Sequence, residues 1–229
     1  MKHLLPCALI VLVLLTSGCG LKEVIGPNGI GGTTNSDSYQ PITKGSTWNY
    51  SVQIIGTPAP DHILLVMTGN VKTFNGKLYY EGTETSSTDV ATGYFSHTGN
   101  LYTDRIEDPN PDDTTDEPYL NDALPPGATY TTKANDSGTS HGAEVQYLGT
   151  ILEKGVTKTV NGKNFTNVIH TRVEFQAKLP GGTFVTSDVT EYYVAKGVGI
   201  IEVDAYFLNP FTNTKELAAK QTIVSYNIK

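Results

Sequence analysis

From Tyr39 onward the apolar residues of this 229-residue chain recur nearly everywhere at every second position. Trp48, Tyr50, Val52 and Ile54 alternate with Thr47, Asn49, Ser51 and Gln53, and Ile169, Thr171, Val173, Phe175 and Ala177 alternate with His170, Arg172, Glu174 and Gln176. The pattern returns in Ile201, Val203, Ala205 and Phe207 and again in Val224, Tyr226 and Ile228. Successive side chains of a strand point to opposite faces, so this period selects half-buried antiparallel strands with one apolar and one wet face. Asn75-Gly76 and Asn161-Gly162, each flanked by strand formers, predict type I′ hairpins. Pro180-Gly181-Gly182 and Asn209-Pro210 mark further turns. Only Lys215 to Lys220, KELAAK, has a helical composition; it is too short to be stable alone and reads alternatively as the start of a last strand. The expected fold is all-β, a strongly curved antiparallel sheet or an open β-barrel.

Three short stretches recur in order. Gly45-Ser46-Thr47-Trp48 matches Gly127-Ala128-Thr129-Tyr130, Lys72-Thr73-Phe74-Asn75-Gly76-Lys77 matches Lys158-Thr159-Val160-Asn161-Gly162-Lys163, and Tyr94-Phe95 matches Tyr192-Tyr193. The offset only grows along the chain, as insertions in the second half would produce. Two similar β-meanders joined through the acidic stretch Asp104 to Glu117 are expected, with convergence on common turn chemistry as the alternative.

Residues 1–18 have the marks of an export signal: Met1-Lys2-His3, an apolar run from Leu4 to Leu15 too short to span a bilayer, and small residues before Cys19. Thr16-Ser17-Gly18-Cys19 resembles the lipobox read by lipoprotein signal peptidase, although Thr16 stands where Leu is commonest. The resemblance implies a diacylglyceryl thioether on Cys19 and cleavage after Gly18. Residues 19–38, rich in Gly, Asn, Ser and Thr, read as a lipidated Cys and flexible tether, and 39–229 as a single all-β domain. The chain has two Cys, and Cys7 lies in the segment to be removed, so burial alone must hold the fold. A chain of that length buries about 70% of the surface its unfolded form exposes. With 16 Lys and Arg against 23 Asp and Glu, the formal net charge of −7 repels nucleic acid and anionic headgroups. The expected membrane partner is therefore reached through the lipid at Cys19. Gly20 rather than Asp after Cys19 points to the outer membrane in a Gram-negative host; in a Gram-positive host the anchor would be the cell membrane.

Candidate chemistry is sparse. The acidic run DRIEDPNPDDTTDE places Asp108, Asn110, Asp112, Asp113 and Asp116 at spacings that suit calcium, but the sixth loop position is Asp113 where a sharp turn needs Gly, and Pro109 and Pro111 stiffen it. A solvated loop is the plainer expectation. His62, His97, His141 and His170 lack metal-ligand spacing, no Gly-x-Ser-x-Gly elbow occurs, and no cofactor motif is found. Tyrosine is the abundant aromatic, with 13 against 7 Phe and 1 Trp. Tyr79-Tyr80, Tyr94-Phe95 and Tyr192-Tyr193 put successive rings on opposite faces, so Tyr79, Tyr80, Tyr94, Tyr192 and Tyr193 are candidates to line a ligand groove. The alternative is that Tyr serves as a strand former that tolerates water.

The opening Tyr39-Gln40-Pro41-Ile42-Thr43-Lys44-Gly45-Ser46-Thr47-Trp48-Asn49-Tyr50, the strand at Asn167-Val168-Ile169 and the closing Tyr192-Tyr193-Val194-Ala195-Lys196-Gly197-Val198-Gly199 resemble motifs of poorly characterised secreted β-proteins and lipoproteins of bacteria. A Lol-type lipoprotein-carrier half-barrel is the nearest architecture by analogy. The resemblance implies a mostly antiparallel sheet and carries no catalytic residues. The expected role is a non-enzymatic binding module of the cell envelope for a lipid, glycan or peptide. A structural or assembly subunit docking through a strand edge comes second, and a hydrolase third, since paired carboxylates cannot be judged from spacing alone.

Overall fold

A computed structural model describes residues 37–209, 212 and 214–229. The signal, Cys19 and most of the tether lie outside the described residues, as does Pro210 of the expected last turn. Thirteen strands follow along the described chain: β1 (Thr47–Ile54), β2 (Asp61–Phe74), β3 (Lys77–Thr85), β4 (Val90–Thr98), β5 (Leu101–Ile106), β6 (Thr115–Asn121), β7 (Thr129–Lys133), β8 (Thr139–Ser140), β9 (Ala143–Val160), β10 (Lys163–Lys178), β11 (Phe184–Ala195), β12 (Gly199–Leu208) and β13 (Lys215–Asn227). There is no helix among the described residues. KELAAK is the opening of β13, because its backbone pairs with β12 on one side and β1 on the other.

The spatial order β6-β5-β4-β3-β2-β1-β13-β12-β11-β10-β9-β7, all antiparallel, makes one nearly closed, barrel-shaped sheet, with β8 paired to β9 off this path. It is two meanders side by side. The first, β1 to β6, meets the second, β7 to β13, where the first and last strands of the chain pair from Thr47–Asn227 to Ile54–Ala219. The entries to the two meanders share a backbone hydrogen-bond pattern. At the entry to the first, Gly45 N donates to Met67 O (2.8 Å) and Met67 N to Ser46 O (3.0 Å); at the entry to the second, Gly127 N donates to Ile151 O (2.7 Å) and Ile151 N to Ala128 O (3.0 Å). Asn75 and Asn161, with φ of 46° and 48°, make the two predicted hairpin turns, where the positive φ of a type I′ turn favours Asn and Gly.

The acidic stretch does not join the halves. It is the β5–β6 connection inside the first meander, and the halves are joined by residues 122–128. By the symmetry of the repeat, β6 should pair with β7 as β13 pairs with β1. Instead β6 turns inward and packs across β9, β10 and β11. In place of a ladder with β7, its backbone is met by a loop carbonyl and by side chains: Asp116 N donates to Ala134 O (2.7 Å), Tyr130 Oη of β7 to Pro118 O (2.9 Å) and Thr171 Oγ1 to Tyr119 O (2.6 Å). Proline at 118 fits such an edge because it has no N–H to leave unpaired.

Two apolar clusters fill the barrel. One gathers around Trp48, Leu65, Met67, Phe165, Val168 and Ile201, and the other around Tyr102, Tyr119, Leu120, Ile151, Ile169 and Val194. Trp48 is 1% exposed and its Nε1 donates to Val198 O (2.6 Å), so the ring is both packed and satisfied.

Candidate functional site

Between the clusters a recess of about 90 Å³ lies on the inner face. Apolar side chains of β1, β2, β4 and β12 make part of its wall: Tyr50, Ile63, Leu65, Phe95 and Val203. Three carboxyl groups complete it, Glu84 on β3, Asp104 on β5 and Glu117 on β6, together with Gln40, Tyr192 and Gln221. No lysine, arginine or histidine lines the recess among the described residues.

Strand register brings these acids together. Asp104 pairs directly with Glu117 across β5 and β6, an arrangement that costs energy between like charges. Glu84 joins them because Gly82 and Gly93, paired across β3 and β4, leave the wall open beside it. A Cβ on Gly93 would lie 3.2 Å from Glu84 Oε1, and one on Gly82 would meet Leu65 and the Phe95 ring. Tyr192 Oη donates to Glu117 Oε1 (2.7 Å), and Tyr50 Oη to Ile200 O (3.0 Å). Asp104 Oδ1 is buried and has no hydrogen-bond partner.

Burial pushes the Glu84 carboxyl up to about 7. Glu117 is likewise pushed up to about 7, chiefly by burial, against the hydrogen bonds from Tyr192 and Thr190 and with Asp188 adding to the rise. Asp104 is held well above the ordinary carboxylate range, first by burial and then by the charges of Glu84, Glu117 and Asp116. Loss of water penalises the ionised form and like charges reinforce the penalty. Such groups can exchange protons near neutral pH or receive a cation. They do not form a metal cage: no three His, Cys, Asp or Glu among the described residues are disposed to hold one ion.

The tyrosines singled out in the sequence are distributed over both faces. Tyr192 lines the recess, and Tyr80 packs half-buried against the first cluster. Tyr79, 0% exposed, donates to Asp116 Oδ1 (2.7 Å) on the other face, where Phe74 stacks edge-on with both Tyr79 and Tyr94. Tyr193 stacks on His170 at 4.0 Å between ring centres, and Lys158 Nζ lies 3.6 Å from the centre of the same Tyr193 ring. The five rings therefore do not share one groove.

The acidic run is likewise divided. Asp108 accepts from Asn110 N (2.8 Å), Asn110 Nδ2 donates to Asp113 (2.7 Å), Asp113 meets His141 (2.9 Å), and Asp112 N donates to Asn110 Oδ1 (3.3 Å). Asp116 instead points into the protein, 2.8 Å from Arg105. That arginine, 3% exposed, also reaches Asp136 (2.8 Å) and Glu107 (2.5 Å), tying the β7–β8 connection to β5 and β6.

Sequence spacing does not group the recess acids, because Asp104 and Glu117 stand at the two ends of a dense acidic run and Glu84 lies outside it. A usable signal existed: Asp104 shares the parity of Tyr102 and Ile106, and Glu117 that of Tyr119, so each is a charge on the buried side of an alternating strand.

No family model matches the chain. No curated protein matches it. Among solved structures it is similar to a protein from Bacteroides fragilis described as exported with a YmcC-like fold, 11% identical, covering 81% of this chain and 97% of that one at a TM-score of 0.49. It is also similar to a protein from Parabacteroides distasonis described as a lipoprotein, 10% identical, covering 84% and 99% at a TM-score of 0.49. At these identities the likeness bears on neither ligand nor activity.

Proposed function

We propose that this chain is a lipid-anchored protein of the cell envelope, held by Cys19, whose barrel is a non-enzymatic binding module. The observation that carries the reading is the inner recess, in which three carboxyl groups face open space with no cation opposite them. Evolution of a fold for stability alone has no use for such an arrangement, since apolar groups of the same size would cost less. The recess volume of about 90 Å³ is below the roughly 150 Å³ of a cavity that admits benzene, so neither a lipid chain nor a sugar ring fits within it. What fits is a group the size of a side-chain end, as a peptide or small molecule presents. The same limit weighs against a glycoside hydrolase, whose two carboxyls must flank a sugar ring. The outer membrane is the proposed site in a Gram-negative host and the cell membrane in a Gram-positive one.

A second reading, a subunit of an envelope assembly, draws on β7, which has a strand partner on one side only. Native mass spectrometry of the full chain, extracted gently from its own envelope, separates the two. An added small mass that is lost on Asp104→Trp supports the binding module. A bare monomer mass, or a mass of associated protein that Asp104→Trp leaves intact, supports the assembly subunit.

A further inference from the structure

Resting on the reading of Cys19 as a lipid anchor, we infer that the barrel docks upright on an anionic lipid surface. The end at its β11–β12 turn meets the headgroups, and the opposite end is held away from them by its charge. The described chain begins at the docking end. Ser38 O accepts from Gly197 N (2.8 Å) and Tyr39 is buried edge-on against Tyr102, so the chain enters the barrel beside the β11–β12 turn. β1 starts at this end and β13 finishes there, with Lys229 N donating to Ser46 Oγ (3.1 Å). Asp37 is the eighteenth residue after Cys19, a reach of no more than about 65 Å.

The two ends differ in charge. Because the strands are antiparallel, their connections alternate between the ends. On the anchored side, residues 37–46, 122–128, 196–198 and 228–229 hold Lys44, Lys196 and Lys229 against Asp37, Asp122 and the C-terminal carboxylate, and the turns at 75–76, 99–100 and 161–162 are uncharged. On the other side, residues 86–89, 107–114 and 134–138 hold Asp89, Glu107, Asp108, Asp112, Asp113 and Asp136. None of the connections on that side contains a lysine or an arginine. Arg105 answers Glu107 and Asp136, and His141 meets Asp113. One end is thus close to neutral and the other acidic.

Separation decides what this asymmetry does. β1 alone, eight residues at about 3.4 Å each, sets the ends roughly 25 Å apart, some three times the ~8 Å over which salt screens a charge. In the upright barrel the acidic end lies beyond the reach of the headgroups; in an inverted one it lies on them and is repelled. The anchored end is also packed. Gln40, 4% exposed, lines the recess and accepts from Tyr119 Oη (3.2 Å), and a Cβ on Gly199 would lie 3.5 Å from both Gln40 and Trp48. The bilayer therefore meets a filled end of the barrel, and a ligand of the recess arrives from the aqueous side.

Cleavage removes Cys7 and the lipid blocks Cys19, so an introduced cysteine is the sole free thiol of the processed chain. Ala123→Cys at the anchored end and Ser87→Cys at the other, both at exposed positions, each take a fluorophore. The lipidated chain is reconstituted into vesicles of phosphatidylcholine and phosphatidylglycerol that contain a lipid spin-labelled on its headgroup. The expected result is quenching at least about threefold stronger at position 123 than at position 87, with a smaller ratio in vesicles of phosphatidylcholine alone. Asn100→Cys and Thr88→Cys serve in the same way should either variant not fold. Equal quenching at the two positions, or stronger quenching at 87, overturns the inference, and so does a ratio that neutral vesicles leave unchanged. Intact mass of the vesicle-bound chain keeps the anchor and the orientation apart. A chain without a diacylglyceryl group removes the anchor reading and the inference with it, whereas a lipidated chain with equal quenching leaves the anchor standing and removes only the orientation.

Discussion

The inner and outer faces of this barrel handle the same kind of residue in opposite ways. On the outer face Glu191 sits 8% exposed between β10 and β12, yet its carboxyl is held down at about 2, first by its hydrogen bond with His170, against burial, and then by Lys215. On the inner face Glu84 and Glu117 are half-buried, and burial of their carboxyls pushes both up to about 7. Burial acts on both; what differs is the presence of cations across the strand. Glu191 has Lys215 Nζ at 2.6 Å and Arg172 at 3.2 Å, whereas the recess acids have one another. A buried acid supplied with partners is structural, and one left without them is free to serve a ligand.

The sharpest break of this contrast is to remove a cation from the partnered set. Arg105→Met leaves Asp116 buried without its partner and should cost about 3 kcal/mol in urea denaturation, within the range for an orphaned buried charge. A cost near zero would mean that the outer clusters are no better matched than the inner one. Next, Glu191→Gln should lose about 1 to 2 kcal/mol at pH 7, because the lowered carboxyl stabilises the fold there. Asp104→Asn should gain about 1 kcal/mol at the same pH by removing a charge opposed to Glu117. If both variants move the midpoint in the same direction, the contrast fails.

The pH dependence follows from the same shifts. Between about 4.5 and 7 the folded chain keeps protons on Glu84 and Glu117 that the unfolded chain has released, so these two groups make stability fall as pH rises across that window. Glu191 has the reverse sign: its contribution is present above about 4.5 and is lost as pH falls toward 2. Denaturation midpoints between pH 5 and 8 should therefore slope downward in the native chain and less steeply in the Glu84→Gln, Glu117→Gln double variant, in which the raised Asp104 keeps the same sign. The smallest effect belongs to the exposed pair Lys178 and Glu144, 2.6 Å apart, where a double-mutant cycle should return no more than about 0.5 kcal/mol.

Much of this fold was legible before any coordinate. The alternation through β1, β10 and β12, the two Asn-Gly turns and the paired Gly45 and Gly127 entries all rest on interactions within a few residues or between adjacent strands, and these repeat in the residues themselves. KELAAK was ambiguous because six residues carry too little periodicity to choose; pairing with β1 and β12 chose for them. The five tyrosines fall in alternating strands, but parity alone does not say which face becomes the lumen, and so it does not tell that Tyr192 meets the recess while Tyr79 meets Asp116.

The sequence by itself determined that the chain is built of antiparallel strands and where its two Asn-Gly hairpins fall, because those follow from a period of two and from the φ that Asn and Gly accept; the joint between the meanders, expected in the acidic stretch, was set by the tertiary structure at residues 122–128. Only the tertiary structure decided that β1 closes on β13, that β6 leaves its symmetric place beside β7, and that Glu84, Asp104 and Glu117 end in one recess. Those outcomes depend on contacts between segments far apart along the chain, where the energy lies in burial and charge across strands and leaves no local mark on the residues.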